Sequence, residues 1–502
     1  MVYTEVFCLL FFVTFIFHLI KRPRIGVNEP PLVQYRFPII GHTYYYLYDS
    51  ENFLKKCREK YGEPFSLYVF GSVRTFTGVE NSVEVLKNDS FDFHAAINKI
   101  FPLKDVFNQF KKLDPVYTSR VIREQISGKL DVYISRIQSE LLFGIEKYFG
   151  DCKEPKTFRN IQHMLGLIVA KTVANVIIGE EVAQFEDIIT SFAMVERGLT
   201  KMRFIPPILT FISLSLNAKF LTLPLKFGWN PISRHRDIFV KRYKPIVEER
   251  IRQRKKLGEK YIQKEDLLDF FLNEPHYKTD IVDDKYMDGL FAQLYAIVFA
   301  STSSTSKALA FALFDYGGRP ELWNEIYEEQ LKIYNDSNGN LSVEDVHKMV
   351  KLDCFLRESF RHSSNIAGLM HLFTGDSFTF SNGTTIPKDR LVFVYTRDTA
   401  FSDKFYGETA NDFQPKRHIT SRYNGKIVHT PAAKVDRSLL TFGVGKRACP
   451  GRLFAVNGIK LCLHKLILKY NIRTESGKVD PPRRFSALTL PPISGLVFEN
   501  RN

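Results

Sequence analysis

Cysteine is scarce in this chain, and its placement excludes two kinds of site. The 502 residues include six cysteines, and no two of them form a Cys-x-x-Cys pair: Cys8, Cys57, Cys152, Cys354, Cys449 and Cys462. A disulfide scaffold needs a short chain dense in cysteine, and a zinc ribbon needs paired ligands. We therefore expect reduced cysteines and neither of those architectures.

Long linkers, internal repeats and low-complexity tracts are also missing after residue 50. Length alone suggests about three domains, but no linker separates them, so a single domain over residues 42–502 is expected. Apolar residues make up 44% and charged residues 25% of the chain, which is the composition of a globular protein.

Blocks of five or more like charges are absent, although 70 basic and 55 acidic residues leave a net charge of +15. Such an excess favours anionic partners, whether lipid headgroups, nucleic acid or an acidic protein. Because no basic helix with interleaved aromatic residues supports nucleic-acid binding, we expect none.

The N-terminus carries the one long apolar run outside the body. Residues 6–20 are almost continuously apolar and, with the five before them, approach the ~20 residues that span a bilayer. Lys21, Arg22 and Arg24 follow the run, whereas a cleaved signal peptide carries basic residues before it. We expect an uncleaved transmembrane anchor at 1–20 with the rest of the chain on the cytosolic side, and a basic, proline-rich hinge at 21–41.

Helical spacing dominates the body. Apolar residues recur every three or four positions in residues 52–60, 131–149, 238–255, 321–334 and 453–470. Strand candidates are 65–70, 74–78, 377–380 and 390–395, of which the last two flank a turn at Ser381, Asn382 and Gly383. The pattern predicts a mainly α protein with small β-sheets (α+β).

Residues 288–314 are too apolar for a surface helix and too polar at the centre for a good membrane span. We expect a long buried central helix. The six consecutive hydroxyl residues at its middle, 301–306, need partners, and serine or threonine can bond back to the carbonyl four residues earlier. A bound ligand is the other source of partners.

A glycine-rich loop, FGVGKRACPG, precedes the helix at 453–470. Cys449 stands at the helix N-terminus, where backbone N–H groups and the helix dipole favour a thiolate. Arg447 is placed to direct its guanidinium at a carboxylate of a bound ligand.

The spacing Phe442-x-x-Gly445-x-Arg447-x-Cys449-x-Gly451 resembles the haem-binding loop of the cytochrome P450 haem-thiolate monooxygenases, of the eukaryotic microsomal type with fungal members. The resemblance implies the fold of that family, with its long central helix, and haem b (iron protoporphyrin IX) ligated by Cys449. Phe442, Gly445, Arg447 and Gly451 would be the other cofactor-binding residues.

Two further segments fit the same resemblance. Glu358 and Arg361 match the family's Glu-x-x-Arg helix, and Arg417 matches its second arginine, which implies a structural Glu358–Arg361–Arg417 network. Glu249 and Arg252 have the same spacing without the same position in the chain.

The hydroxyl run resembles the family's oxygen-binding groove, whose pattern is Ala/Gly-Gly-x-acid-Thr-Thr/Ser. Here Ser301 replaces the glycine, Ser303 the acid and Ser304 the threonine whose hydroxyl helps deliver protons. Ser303, Ser304 and Thr305 are the catalytic candidates; Ser304 is preferred over Thr305, and loss of the acid puts the usual proton path in doubt.

One family element is missing: no tryptophan precedes an arginine that would bind a haem propionate. Arg120 or Arg123 would take that place. The substrate pocket would draw on residues 94–114, 202–214, 363–370 and 488–492.

The resemblance implies oxidation of a lipophilic substrate of the sterol, terpenoid or fatty acid class. Electrons would come from NADPH through a membrane-bound flavoprotein, NADPH–cytochrome P450 reductase, with cytochrome b5 as a further donor. The enzyme would lie in the endoplasmic reticulum membrane as a single-pass protein facing the cytosol. A haem-thiolate isomerase or dehydratase that needs no reductase, and a non-catalytic haem-binding membrane protein, stay open.

Overall fold

The computed structural model describes residues 12, 13, 16, 22–200, 207–423 and 426–501. The predicted anchor therefore lies outside the described residues except for Phe12, Val13 and Ile16, which are exposed. The predicted pocket segment 202–214 is described only from residue 207 onward.

Helices make up most of the described chain. They are α1 (Thr43–Tyr48), α2 (Ser50–Tyr61), α3 (Ser82–Lys87), α4 (Phe93–Ile100), α5 (Leu103–Asn108), α6 (Pro115–Val121), α7 (Leu130–Tyr148), α8 (Ile161–Val173), α9 (Glu186–Thr200), α10 (Leu214–Lys226), α11 (Ser233–Leu257), α12 (Leu267–Asn273), α13 (Asp284–Gly317), α14 (Trp323–Asp336), α15 (Val343–His347), α16 (Val350–His362), α17 (Thr396–Ala400), α18 (Asp403–Tyr406) and α19 (Arg452–Lys469). Each helix predicted from apolar spacing is present, with ends shifted by a few residues.

The sheets are small, as predicted. The strands are β1 (Phe65–Val69), β2 (Ser72–Thr77), β3 (Phe91–Asp92), β4 (Lys156–Phe158), β5 (Gly368–Phe373), β6 (Ser377–Thr379), β7 (Thr385–Pro387), β8 (Leu391–Val394), β9 (Ile419–Tyr423), β10 (Lys426–His429), β11 (Tyr470–Thr474), β12 (Arg483–Phe485), β13 (Leu488–Leu490) and β14 (Leu496–Asn500). The largest sheet has the order β1-β2-β8-β5-β3, and a second has the order β11-β14-β4.

The turn at residues 381–383 joins a different pair of strands from the one that its flanking segments suggested. β6 pairs with β7, with Thr379 opposite Thr385, while β8 runs parallel to β2 inside the five-stranded sheet. All four residues of β8 are buried, which is typical of a central strand covered on both faces. The short β7 carries too few apolar residues for its sequence to reveal it.

The central helix α13 is 34 residues long and continuous through its hydroxyl run. It packs against α8, and both contribute to the main hydrophobic core together with α7 and α19. By length and composition, residues 161–178 and α13 would pass for membrane spans, but 78% and 56% of their most apolar windows are buried inside the protein. They are core helices.

The predicted hinge is docked on the body over part of its length. The backbone N–H of Val33 donates to the Ser66 carbonyl (2.9 Å), and that of Ser66 donates to the Pro31 carbonyl (2.8 Å). Glu29 forms an ion pair with Arg390. From Glu29 onward, this segment is attached to β1 and its neighbours.

A buried carboxylate lies at the centre of the region that leads to Cys449. Glu358 on α16 is fully buried, and its side chain meets Arg361 Nη2 at 2.6 Å and Arg417 Nε at 3.1 Å. His418 Nε2 lies 2.8 Å from the other carboxylate oxygen. Burial raises the pKa of Glu358, but hydrogen bonds from His362, His418 and Arg361 outweigh it and hold the pKa well below its usual value.

The arginines of this cluster also satisfy backbone carbonyls in the irregular segment from residue 396 to 440. Arg361 donates to the carbonyls of Ala400 (2.9 Å) and Asp412 (2.7 Å). Arg417 donates to that of Thr409 (2.6 Å). Neighbouring Arg357 pairs with Asp436 at 2.6 Å. The loop before Cys449 thus gets from side chains the hydrogen bonds that regular structure would supply.

Replacing Arg361 by leucine should lower the free energy of unfolding by roughly 3–5 kcal/mol, because it leaves Glu358 buried without its closest partner. The matched control is Arg252→Leu, since Arg252 pairs with Glu249 at the same three-residue spacing on an exposed surface. That control should cost less than about 1 kcal/mol. Urea denaturation of both purified variants measures the difference, and equal losses would contradict a structural role for the buried pair.

Glu358 should also make stability depend on pH. Its pKa is lower in the folded than in the unfolded protein, so its contribution is complete above the ordinary value of 4.5 and is lost as the pH falls from there toward the folded pKa. The difference in unfolding free energy between wild type and Glu358→Gln should therefore be largest near neutrality and shrink in acid. A difference that grew in acid would show that the folded carboxyl is protonated.

Candidate functional site

The loop that presents Cys449 is shaped by its own backbone. Gly443 and Gly445 have φ angles of +68° and +72°, a region that residues with a Cβ rarely adopt. The Cys449 N–H donates to the Phe442 carbonyl at 2.8 Å, and the Phe442 ring packs edge-on against Phe360 of α16 (5.7 Å between centroids). The loop is therefore fixed on the helix that carries Glu358.

The Cys449 thiol lies at the N-terminus of α19 and is half-buried. Burial raises the pKa of this thiol, while N–H groups of Gly451 and Arg452 and the charge of Arg452 act to lower it. The pKa stays raised overall. The helix terminus alone thus does not make Cys449 an anion, and a cation bound at the sulfur would have to supply the remaining stabilisation.

The other described cysteines are buried and free of disulfide bonds: Cys57, Cys152, Cys354 and Cys462. Among the described residues, no group of three or more His, Cys, Asp or Glu side chains could hold a metal ion. Among the described cysteines, Cys449 is the one that is only half-buried. A thiolate that binds a metal ion is therefore best supplied by Cys449.

The middle of α13 exposes one face. Ala300 and Ser304, one turn apart, are exposed although most of their helix is buried. On another face, Ser301 and Thr305 line a small apolar cavity together with Phe454 and other residues at the start of α19. α13 therefore lies alongside α19, the helix that follows Cys449. The small exposed residues of α13 leave room for a flat group.

The hydroxyl groups of this run point in different directions. Those of Ser301 and Ser304 donate to the carbonyls four residues earlier, Ile297 and Ala300, each at 2.7 Å. Thr305 is buried, and the Thr302 hydroxyl has no hydrogen-bond partner among the described residues. Ser304 is the candidate that faces open space, whereas Thr305 faces the core.

The Ser303 hydroxyl donates to the Glu196 carboxylate on α9. Sequence reasoning missed this contact because 107 residues separate the two partners. A search of the other helices for a carboxylate to replace the missing acid is the one approach that could have suggested this contact.

Arg447 is exposed, but its guanidinium also reaches the backbone at and before strand β3. Its guanidinium donates to the carbonyls of Asp89 (2.7 Å) and Phe91. Burial lowers the pKa of His94 and that of His371, the latter to about 4, and the nearby charge of Arg447 lowers both further. These three side chains therefore share one region, and no local sequence pattern pointed to the two histidines.

Arg120 and Arg123, the proposed substitutes for the missing family arginine, are both exposed. The Arg120 guanidinium lies 5.3 Å from the Tyr117 ring centroid. Within the described part of the chain, neither forms an ion pair. The Ile122 side chain between them lies against Gly451, which places this helical segment beside the cysteine loop.

Two of the predicted pocket segments border α13. Asn365 Oδ1 accepts hydrogen bonds from Lys307 Nζ (3.3 Å) on α13 and from the Thr489 N–H (3.1 Å). Phe110 packs edge-on against Phe291 of the same helix. Segments 94–114 and 363–370 thus contact the central helix, and 488–492 is joined to the second of them. Residues 202–206 of the fourth segment lie outside the described residues.

The residues present fit a haem group. A thiol stands beside N–H donors at a helix terminus, small residues open one face of α13, and the loop itself carries the Arg447 guanidinium. These are the features that a thiolate-ligated iron in a flat, dianionic macrocycle requires.

Comparison with known proteins extends the similarity well beyond the loop. The profile described as Cytochrome P450 matches residues 30–497. Cytochrome P450 monooxygenase 110 of Postia placenta is 25% identical over 92% of this chain and 91% of its own. Sterol 14-alpha demethylase cyp51A of Aspergillus fumigatus is 23% identical over 95% and 93% of the two chains. Cytochrome P450 monooxygenase sttB of Aspergillus terreus is 23% identical over 82% and 77%.

Proposed function

The chain belongs to the cytochrome P450 family and is an oxidoreductase that incorporates oxygen, and on that premise we propose that it hydroxylates or otherwise oxidises a lipophilic small molecule. The observation that supports this most directly is the half-buried Cys449 at the start of α19, beside a central helix with an open face at Ala300 and Ser304.

The family implies haem as the cofactor. Cys449 would hold its iron, and Arg447 would pair with its carboxylates, with His94 and His371 as neutral hydrogen-bonding neighbours. When bound, the haem supplies activation of dioxygen, which no side chain can perform. The protein holds the sulfur in place through the Gly451 and Arg452 N–H groups, keeps water from an apolar pocket and brings protons to the open face at Ser304.

The substrate class follows from the pocket borders and from the relatives. Half-buried Phe110 offers an aromatic surface beside α13, and Asn365 brings a polar side chain to the same helix. A largely apolar molecule with one hydrogen-bonding group, such as a sterol, terpenoid or fatty acid, suits such a pocket. One relative is named a sterol 14-alpha demethylase, which falls in the same class.

Electrons would arrive from NADPH through a membrane-bound flavoprotein reductase, with cytochrome b5 as a further donor. The net charge of +15 suits both an acidic protein partner and anionic lipid. Residues 1–20 would anchor the chain in the endoplasmic reticulum membrane, 21–41 would form the basic hinge, and the catalytic domain from 42 onward would face the cytosol.

The proposal predicts a carbonyl spectrum that depends on one cysteine. Dithionite-reduced protein loaded with haem should show a strongly red-shifted absorption band with carbon monoxide, and Cys449→Ala should abolish it. Cys462→Ala is the matched control, because Cys462 is a buried thiol on the same helix, α19. The control should keep the band.

Absence of the band in folded, haem-loaded wild type would contradict thiolate ligation. If the band is present, incubation with reductase, NADPH and a panel of sterols, terpenoids and fatty acids tests the reaction. Conversion without reductase would instead favour an isomerase or dehydratase.

Ser304→Ala should spare haem binding and the carbonyl band but raise the share of NADPH electrons lost as hydrogen peroxide by about tenfold, because proton delivery to the open face is impaired. Thr305→Val is the comparison, since Thr305 faces the core. The measurement is peroxide formed per NADPH consumed. A larger rise in Thr305→Val would move the key hydroxyl to residue 305, and loss of haem in Ser304→Ala would give that residue a cofactor-binding role.

A further inference from the structure

The central helix α13 has Ser303 at the position where the family's oxygen-binding groove carries an acid. A carboxylate from another helix lies beside that serine. Ser303 stands at the acid position, and its hydroxyl donates to Glu196 on α9. α9 packs directly on α13, so the contact joins two neighbouring helices of the core. Glu196 itself is half-buried, so its side chain is not fully enclosed by the protein.

A cation lies in the same neighbourhood. Lys307 follows Ser303 by one helical turn, and its ammonium donates to Asn365 Oδ1 at 3.3 Å. Burial lowers the pKa of Lys307, and the charge of Glu196 opposes that effect. Within the described residues, no carboxylate lies within ion-pair distance of Lys307, so Glu196 is its nearest identified counter-charge.

We propose that Glu196 supplies from α9 the carboxylate that α13 lacks, and that it passes protons through the Ser303 hydroxyl to the groove beside Ser304. This inference rests on the proposed monooxygenase function, whose reaction consumes protons at that groove. Glu196 acts through Ser303, so it is a positioning residue for proton delivery.

The transfer leaves both groups as they began. A Glu196 carboxylate oxygen takes a proton from hydronium in the bulk solvent, which leaves water, and the resulting carboxyl O–H donates to Ser303 Oγ. Ser303 Oγ binds that proton while its own O–H bond breaks and its proton passes to a water molecule in the groove beside Ser304. Glu196 returns to the carboxylate form and Ser303 to the hydroxyl form, and neither group is oxidised or reduced. The structure already places Ser303 Oγ in contact with a Glu196 carboxylate oxygen, the first of the two oxygen pairs that this transfer joins.

A purely structural role would call for a different environment. Glu358 has two arginines and two histidines as partners and no exposed surface. Glu196 has one hydroxyl partner and a solvent-accessible side, as a group that exchanges protons requires.

The test moves the carboxylate from one helix to the other. Three variants are compared with wild type: Glu196→Gln, the double variant Glu196→Gln with Ser303→Asp, and Glu186→Gln as control. Glu186 is on the same helix and pairs with Lys147 at an exposed position. Each holoprotein, with reductase, NADPH and dioxygen but no organic substrate, is assayed for NADPH consumption in water and in deuterium oxide.

Glu196→Gln should slow oxygen reduction by about 10-fold to 100-fold and enlarge the solvent isotope effect, because proton transfer becomes rate-limiting. The double variant should recover most of the rate, and Glu186→Gln should match wild type. Rescue by a carboxylate on the other helix is an effect that lost packing would not produce.

Infrared difference spectra between acid and neutral pH give a readout that does not need turnover. Wild type should show a carboxyl band that disappears in Glu196→Gln and shifts in frequency in Ser303→Ala, which removes its hydrogen bond. The inference is overturned if Glu196→Gln behaves like Glu186→Gln, or if the double variant is no faster than the single. With the carbonyl band of Cys449 intact, either result removes only this inference; without that band, the proposed function itself fails.

Discussion

The burial of the Glu358 carboxylate determines how the chain positions the Cys449 thiol. Glu358 has no exposed surface, and an ionised group there is tolerable only when its partners are in place. The arginines that neutralise it extend into a long segment with little regular structure and bind its carbonyls. Phe442 then packs on the same helix through Phe360, so that the position of Cys449 follows from that of Glu358.

The central helix is constrained in another way. It is buried nearly throughout, so its hydroxyl run must find partners inside the protein. Ser301 and Ser304 use their own helix's carbonyls, while Ser303 uses a carboxylate from α9. The face with Ala300 and Ser304 stays open because its side chains are too small to fill the space. The hydroxyl run thus packs inside the protein through its hydrogen bonds and also leaves one face of the helix open to a ligand.

Local patterns in the sequence predicted the local parts of this structure. Apolar periodicity located the helices, and the spacing around Cys449 predicted the loop and the family, which the Cytochrome P450 match confirms. Contacts between distant segments were not predictable in this way. The pairing of β6 with β7, the approach of Glu196 to Ser303, and the gathering of His371 near Arg447 depend on how elements pack, which single-segment patterns do not encode.

Two glutamates show how environment separates roles for one chemical group. Glu358 is enclosed by histidine and arginine side chains that outweigh its burial and hold its pKa well below the usual value. Glu196 meets a hydroxyl, lies near one ammonium and is only half-buried. The partners of Glu358 hold the surrounding backbone in place, whereas the surroundings of Glu196 permit proton transfer. A chain that has lost the acid from its central helix can therefore keep the chemistry, provided that a neighbouring helix brings a carboxylate to the same hydroxyl.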